Sequence, residues 1–207
     1  MRALIKGPAA SSAHTECRVF LDGDPLYYDR WKGECLSSWS ATACETVRVA
    51  RVTVKMIETL HQIDELYRRD SNLGGTVTLA VAGTHVFTSS SSGIPDMTGK
   101  TSNGVIDSYQ MWLASGHTVK RENGAWVSDM DSVRGTAQPK AIEVCLNHLF
   151  THVDFNTGTL GVATMAAICP ESAWFLTSGG GMTLPTDGGY GSRINNAGFT
   201  TTLSRGM

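Results

Sequence analysis

Long apolar runs are absent from this sequence. No stretch of 18 apolar residues occurs, so no membrane-spanning helix is predicted, and the first residues lack the apolar segment of a signal peptide. The chain also lacks a large net charge, because 17 Lys and Arg nearly balance 19 Asp and Glu, and the basic residues are scattered along the sequence. A phosphate backbone would find no basic surface to bind, so nucleic acid is not an expected partner. The 207 residues, 41% of them apolar, suffice for one domain with a hydrophobic core.

Several signatures of catalysis and ligand binding are missing too. No Gly-x-Ser-x-Gly segment offers a serine nucleophile, and the glycine runs near the carboxyl end are not followed by Gly-Lys-Ser or Gly-Lys-Thr. Asp22 with Asp24, and Asp129 with Asp131, are carboxylate pairs of a kind that binds calcium, but neither has EF-hand spacing. Both pairs are therefore expected in solvated turns. Residue chemistry alone names no enzyme.

Two histidines have the spacing of zinc ligands on a helix. His148 and His152 stand four residues apart, which on one helical face would offer two imidazoles to a metal. The general-base Glu that follows the first His in metalloproteases is replaced by Leu149, and a third ligand is missing. The local sequence also favours a strand, where residues four apart are separated by roughly 13 Å. We expect a helix end and a strand here, and no bound metal.

Five cysteines occur without any Cys-x-x-Cys pair, so they are candidates for disulfides rather than for a metal knuckle or a redox pair. An odd number leaves one of them without a partner. Scattered cysteines favour an oxidising compartment, whereas the amino terminus carries no export signal. A sequence truncated at its start would reconcile the two observations, and this is the expectation.

The first half of the chain predicts a strand, a long helix and a second strand. Residues 19–21 form a short apolar run before a Gly-Asp-Pro turn signal, which indicates a strand leading into a loop. A helix is predicted over about 42–70, beginning at the capping box of residues 42–45. Residues 47–54 alternate as in a strand, but the apolar periodicity that follows favours the helix. Alternation over 76–88 predicts the second strand.

The second half gives weaker signals. Together with the first half they predict an α/β domain with a mixed sheet. The predicted elements are a surface loop over 89–104, helices over 108–115 and 140–149, a strand-prone segment over 149–154 and a short strand over 159–165.

Residues 143–170 (EVCLNHLFTHVDFNTGTLGVATMAAICP) resemble a block of the ADAM family, the reprolysin or adamalysin zinc metalloproteases, in its membrane-sheddase branch. Order, spacing and unusual residue types agree over about 25 positions. Residues 17–21, 57–69 and 194–200 resemble the family's first strand, the end of its first helix and the strand before its active-site helix. The resemblance implies the amino-terminal subdomain of a metzincin, with a mixed twisted sheet and flanking helices.

This resemblance also implies domain limits. Residues 17–207 would form a partial catalytic domain, about two-thirds of it, incomplete at the carboxyl end and preceded by a disordered segment over 1–16. The family holds zinc with His-Glu-x-x-His-x-x-Gly-x-x-His and is extracellular or membrane-anchored. The 207 residues do not contain that motif. We therefore expect this chain to bind no zinc and to cleave no peptide by itself.

The substrate cleft is the part of the family's site that this sequence retains. The resemblance identifies an edge strand whose backbone pairs with an extended peptide or protein substrate, and Gly161 would let that peptide approach closely. The simpler interpretation is an ordinary buried strand. The positions are Thr159, Leu160, Gly161, Val162 and Ala163.

The resemblance further implies disulfides. Cys17 and Cys145 match family cysteines that tie the first strand to the helix before the third strand. Cys169 matches a residue whose partner lies beyond position 207, so it is expected to be the odd cysteine. Cys35 would then pair with Cys44, although the family pattern does not supply that bond.

Three interpretations follow from the sequence. The first is an incomplete sequence of an active ADAM-type endopeptidase. The second is a genuine short pseudoprotease or peptide-binding module without catalysis. The third is an unrelated α/β binding module that matches by accident.

Overall fold

A five-stranded mixed sheet with helices on both faces forms the centre of the fold. The computed structural model describes residues 15–69, 77–89, 93–115, 117–122, 125–130, 132–139, 141–155, 159–163 and 197–201. The elements in chain order are β1 (Thr15–Gly23), α1 (Pro25–Trp31), α2 (Ala41–Arg69), β2 (Val77–Val86), α3 (Ser102–Ala114), β3 (His117–Glu122), β4 (Ala125–Met130), a 3-10 turn (Ala141–Glu143), β5 (Leu146–Thr151), β6 (Gly161–Ala163) and β7 (Ala197–Thr201).

The strand order in the main sheet is β2-β1-β5-β7-β6. β1 runs parallel to β2 and β5, β5 runs parallel to β7, and β6 alone is antiparallel, pairing with β7. β3 and β4 form a separate antiparallel pair. The predicted α/β class with a mixed sheet is confirmed. β1 begins at Thr15, two residues before the expected domain limit, and residues 1–14 lie outside the described part.

Each face of the sheet buries its own apolar cluster. On one face the first strand packs against α1 and α2, and on the other α3 packs against the later strands. Burial of these side chains is the main stabilising term of the fold. Representative members are Val19, Leu21, Tyr27, Val52 and Met56 on the first face, and Tyr109, Leu113, Leu149 and Phe199 on the second.

Helix α2 agrees with the predicted helix to within one residue at each end. Val52, Met56 and Leu60 repeat at four-residue steps and are buried, which explains why the helical period prevails over the strand-like valines. The predicted capping box is wrong. Ser40 caps the helix instead, because its Oγ accepts a hydrogen bond from the backbone N–H of Ala43 at 3.2 Å, while Thr42 lies inside the first turn.

Helix α1 replaces the loop that was predicted after β1. Asp24 is its N-cap, and its Oδ1 accepts a hydrogen bond from the N–H of Tyr27 at 2.8 Å. Pro25 occupies the first turn, where its missing N–H costs nothing. Asp-Pro therefore starts a helix here.

The predicted helix over 140–149 is also wrong. Only residues 141–143 form a 3-10 turn, and β5 then begins at Leu146. The predicted helix over 108–115 begins earlier, because Thr101 caps α3 by accepting a hydrogen bond from the N–H of Gly104 at 3.1 Å. The segment predicted as a surface loop buries Ile94 and Met97.

The hairpin of β3 and β4 was not predicted. Asn123-Gly124 stands between the two strands in the sequence and is a common two-residue hairpin turn. Asp129 lies in β4, opposite Thr118, and is not in the turn that was expected for it. Asp131 is outside the described residues.

Two disulfides join the pairs of cysteines expected from the sequence. Cys17 and Cys145 have Cα atoms 5.3 Å apart, and Cys35 and Cys44 have Cα atoms 5.6 Å apart. The first links β1 to the turn before β5, and the second holds the loop before α2 on its first turn. Cys169 lies outside the described residues. No helix among the described segments is long and apolar enough to span a bilayer.

Candidate functional site

The strand β6 forms one edge of the sheet. Its register places Gly161 opposite Thr200, Val162 opposite Phe199, and Ala163 opposite Gly198. The backbone N–H of Thr201 donates to the carbonyl of Leu160 at 2.9 Å, which extends the pairing by one residue. Within the described part of the chain, β7 is the only strand that pairs with β6.

The pairing pattern determines which backbone groups of β6 are available. In an antiparallel pair, hydrogen-bonded and non-hydrogen-bonded residues alternate. Because Leu160 bonds to Thr201, the residue that next bonds to β7 is Val162. The N–H and C=O groups of Gly161 and Ala163 therefore point away from β7, as strand addition requires.

The opposite edge of the sheet carries a side-chain contact on its backbone. Asp64 on α2 reaches over β2, and its Oδ1 accepts a hydrogen bond from the backbone N–H of Leu79 at 2.7 Å. Arg68 holds the other carboxylate oxygen at 2.7 Å. Partial burial raises the pKa of Asp64, but the hydrogen bonds from Leu79 and Arg68 outweigh it and hold the pKa below its usual value. A side chain thus occupies one donor on this edge, which is a known means of blocking strand addition.

Gly161 is required by the contact with β7. A Cβ at this position would lie 2.5 Å from the carbonyl oxygen of Phe199 and 3.2 Å from Cγ2 of Thr200. The absent side chain therefore lets β6 approach β7, a different role from the close peptide approach that was expected. Gly161 and Leu160 are exposed, and Val162 is half-buried against the α3 face.

His148 lies in β5 and contacts the strand that supports β6. Its Nε2 and Oγ1 of Thr200 share a hydrogen bond of 2.6 Å, and its ring packs edge-on against Phe150 with centroids 4.9 Å apart. Loss of hydration lowers the pKa of His148 to about 4. The imidazole is consequently neutral at physiological pH.

The two histidines do not share the helical face that their spacing suggested. His148 is inside a strand, with Nε2 bonded to Thr200, and His152 follows the end of that strand. The helix end predicted for one of them does not exist. Among the described residues, no three His, Cys, Asp or Glu side chains are grouped so that they could hold a metal ion. These residues do not fit the zinc that the family resemblance implies.

Asp22 is fully buried, so its predicted solvated turn is wrong. Its carboxylate accepts hydrogen bonds from Tyr109 at 2.5 Å and from Nη2 of Arg134 at 2.6 Å. The same Nη2 also donates to Asn147 at 2.8 Å, and the guanidinium lies 3.9 Å over the ring of Phe20. Sequence patterns gave no signal for this pairing. The network ties β1, α3, β5 and the loop over 132–139 together.

Asp24 is buried as well, at the carboxyl end of β1. Its Oδ2 accepts a hydrogen bond from Thr151 at the end of β5, and its other oxygen caps α1. Burial raises the pKa of Asp24 to about 6, although the bonds from Thr151 and Tyr27 oppose that shift. The carboxylate joins two strands and a helix, so its predicted position in a solvated turn is also wrong.

A cavity of about 520 Å³ lies at the same end of the sheet. Its walls come from Leu26 after β1, residues 98–102 before and within α3, and residues 152–155 after β5. The carbonyl of Val153, in its wall, accepts a hydrogen bond from Oγ1 of Thr201 on β7. The cavity was not predicted, since its walls come from segments distant in sequence.

Comparison with known protein families identifies the family of this chain. A family model, Reprolysin_5, described as metallo-peptidase family M12, matches residues 13–202. The matched segment includes all of the helices and strands above. A search of curated proteins returned no match.

Proposed function

Since the chain belongs to metallopeptidase family M12, we propose that its edge strand β6 docks the extended peptide substrates of an ADAM-type zinc endopeptidase. Family membership supports a proteolytic domain with protein or peptide substrates. It also excludes the unrelated binding module.

The observation that carries the docking proposal is the difference between the two edges of the sheet. β6 presents the N–H and C=O groups of Gly161 and Ala163 away from β7, its strand partner among the described residues. On the other edge, the N–H of Leu79 is occupied by Asp64. A peptide that binds by strand addition would therefore pair with the outward N–H and C=O groups of Gly161 and Ala163, within the docking segment predicted over residues 159–163.

The ADAM assignment and a role in ectodomain shedding rest on the block over 143–170. Proteins of this family are generally extracellular or membrane-anchored, and we propose the same location for this chain. Two disulfides support that location, because they persist in oxidising compartments.

We propose that docking and hydrolysis reside in different parts of the parent domain. Family M12 is generally zinc-dependent, and zinc catalysis needs three protein ligands in fixed positions. The 207 residues contain no His-Glu-x-x-His segment, and the described histidines do not converge. The chain alone is expected to hold no stoichiometric zinc after dialysis and to cleave no generic peptide substrate. One tightly held zinc with chelator-sensitive cleavage would contradict this.

A peptide-binding module without catalysis would use the same edge strand. Sequencing of the transcript upstream of codon 1 and beyond codon 207 separates this alternative from an incomplete protease sequence. Docking itself is expected in both cases.

The docking proposal can be tested by removing one outward N–H. Ala163→Pro deletes the donor that faces away from β7, and proline is tolerated on an edge strand when its nitrogen faces outward. The probe is a capped hexapeptide, acetyl-Lys-Val-Thr-Val-Thr-Lys-amide, titrated by NMR. Ala163→Pro should weaken binding while the fold persists, whereas the control Ala163→Val retains the donor and should bind like the wild type.

A second arm changes the peptide. The same probe with methylated backbone nitrogens cannot donate in a β-ladder and should not bind. Equal binding of the methylated and unmethylated probes, or full binding by Ala163→Pro, would contradict strand addition.

A further inference from the structure

Three residues lie in a row across the strands that lead to the docking edge. His148 on β5 is hydrogen-bonded to Oγ1 of Thr200 on β7 at 2.6 Å. The methyl Cγ2 of Thr200 would lie 3.2 Å from a Cβ at Gly161 on β6. This row thus links an inner strand to the strand that offers its backbone to a peptide.

The row lies on the face of the sheet opposite to α3. Leu149 points into the cluster that contains α3, and Phe150 points into the cluster that contains α1 and α2. Side chains alternate along a strand, so His148 shares the face of Phe150. Thr200 is opposite Phe150 in the register and lies on that face too.

The hydrogen bond orients Thr200 in a specific way. Threonine has two γ substituents, so its χ1 angle fixes both of them at once. When Oγ1 is held toward His148, Cγ2 is held toward Gly161. The poorly hydrated imidazole needs a hydrogen-bond partner for Nε2, because an unpaired buried polar atom is destabilising. His148 therefore determines the orientation of the Thr200 side chain.

We propose that His148 is a positioning residue for peptide docking: through Thr200 it fixes the distance of β6 from β7, and so the position of the outward groups of Gly161 and Ala163. This inference rests on the proposed function, since the fixed edge matters only if a peptide pairs with it. His148 itself contacts no peptide.

The first test removes the hydroxyl of Thr200. Thr200→Val keeps the branched shape and deletes the bond to His148. Thr201→Val is the matched control, because Thr201 lies on the same strand and loses its own hydrogen bond, to the carbonyl of Val153. Two quantities are measured on the full chain by NMR: the dissociation constant of the capped hexapeptide above, and the hydrogen-exchange rate of the inward amide of Val162.

Thr200→Val should weaken peptide binding by about fivefold and accelerate exchange at Val162 by a similar factor, as expected for one lost hydrogen bond. Thr201→Val should leave the peptide dissociation constant unchanged, and it should accelerate exchange at Val162 only as far as it lowers the free energy of global unfolding. A second pair tests the histidine: His148→Leu should behave like Thr200→Val, and His148→Gln, which places a donor near the former Nε2, should restore both values.

The exchange measurement separates the two proposals. If the wild type fails to bind the peptide, the docking proposal fails, and the exchange rates of Val162 still decide whether His148 positions β6. Unchanged exchange in Thr200→Val and His148→Leu, or equal acceleration in Thr201→Val, would overturn the positioning role.

Discussion

The carboxylate of Asp64 on α2 accepts a hydrogen bond of 2.7 Å from the backbone N–H of Leu79 on β2. This N–H points away from β1 and would otherwise be free on the sheet edge. The two edges therefore differ. A side chain covers part of β2, whereas among the described residues β6 has β7 as its strand partner and no second strand on its outer side.

Replacing Asp64 by Ala should open the second edge. The N–H of Leu79 then becomes available, and edges with free donors promote pairing between chains. We expect stronger self-association, measured by analytical ultracentrifugation. Glu65→Ala is the matched control, because Glu65 lies next along α2 and forms an exposed ion pair with Arg69. Equal self-association of the two variants would contradict the covering role of Asp64.

Replacing Gly161 by Ala should displace β6 from β7. The new Cβ would lie 2.5 Å from the carbonyl oxygen of Phe199, and backbone at that distance must shift. Such overpacking costs about 1–3 kcal/mol, so the amide of Val162 should exchange faster. Leu160→Ala is the control, because that side chain is 55% exposed and its loss should change stability by less than about 0.5 kcal/mol. Unaltered exchange in Gly161→Ala would show that β6 tolerates the side chain.

The buried carboxyl of Asp24 should make stability depend on pH. Its pKa is raised to about 6 from 3.8, so the native state holds a proton that the unfolded state has lost. The stability that the protonated carboxyl contributes to the native state is fully present below pH 3.8 and is lost as the pH rises through 6. Asp24→Asn preserves the cap and removes the titration. Its free energy of unfolding should rise relative to the wild type by up to about 3 kcal/mol between pH 3.5 and 7.

Urea unfolding at several pH values measures this difference. His148, whose pKa is lowered, acts in the opposite direction in both proteins and therefore cancels in the comparison. A difference between Asp24→Asn and the wild type that stays constant with pH would contradict the assignment.

The two disulfides should differ in what they contribute. Cys17 and Cys145 are 128 residues apart, and Cys35 and Cys44 are 9 apart. By reducing the entropy of the unfolded chain, the bond that closes the long loop should add about 5 kcal/mol to the free energy of unfolding, and the bond that closes the short loop about 2.5 kcal/mol. Replacing each pair by Ser, followed by urea unfolding, should reproduce that order.

Peptide mapping without reduction should find Cys169 linked to none of these four cysteines, and a bond from Cys169 to Cys35 or Cys44 would contradict the pairing.

Local patterns in the sequence were sufficient for some elements. The four-residue repeat of Val52, Met56 and Leu60 identifies α2, and alternation identifies β2. Asp24-Pro25 was misread as the start of a loop, because the same dipeptide can start a turn or a helix. β5 was misread because it is buried on both faces, so its apolar residues do not alternate with polar ones.

The details of the site could not be read from local patterns. The bond between His148 and Thr200 joins residues 52 apart, and the bond between Asp64 and Leu79 joins a helix to a strand edge. Asp22 looked like a turn residue because its partner, Arg134, is 112 residues away. Family resemblance predicted a docking segment over 159–163, but only the register shows that Gly161 and Ala163 carry the outward groups.

Amide hydrogen exchange across the sheet, with and without the capped hexapeptide, tests strand addition most directly. If β6 docks the peptide, the amides of Gly161 and Ala163 become protected on binding, while Val162, already bonded to β7, changes little. Protection of β2 amides instead, or no protection in β6 at saturating peptide, would contradict the account.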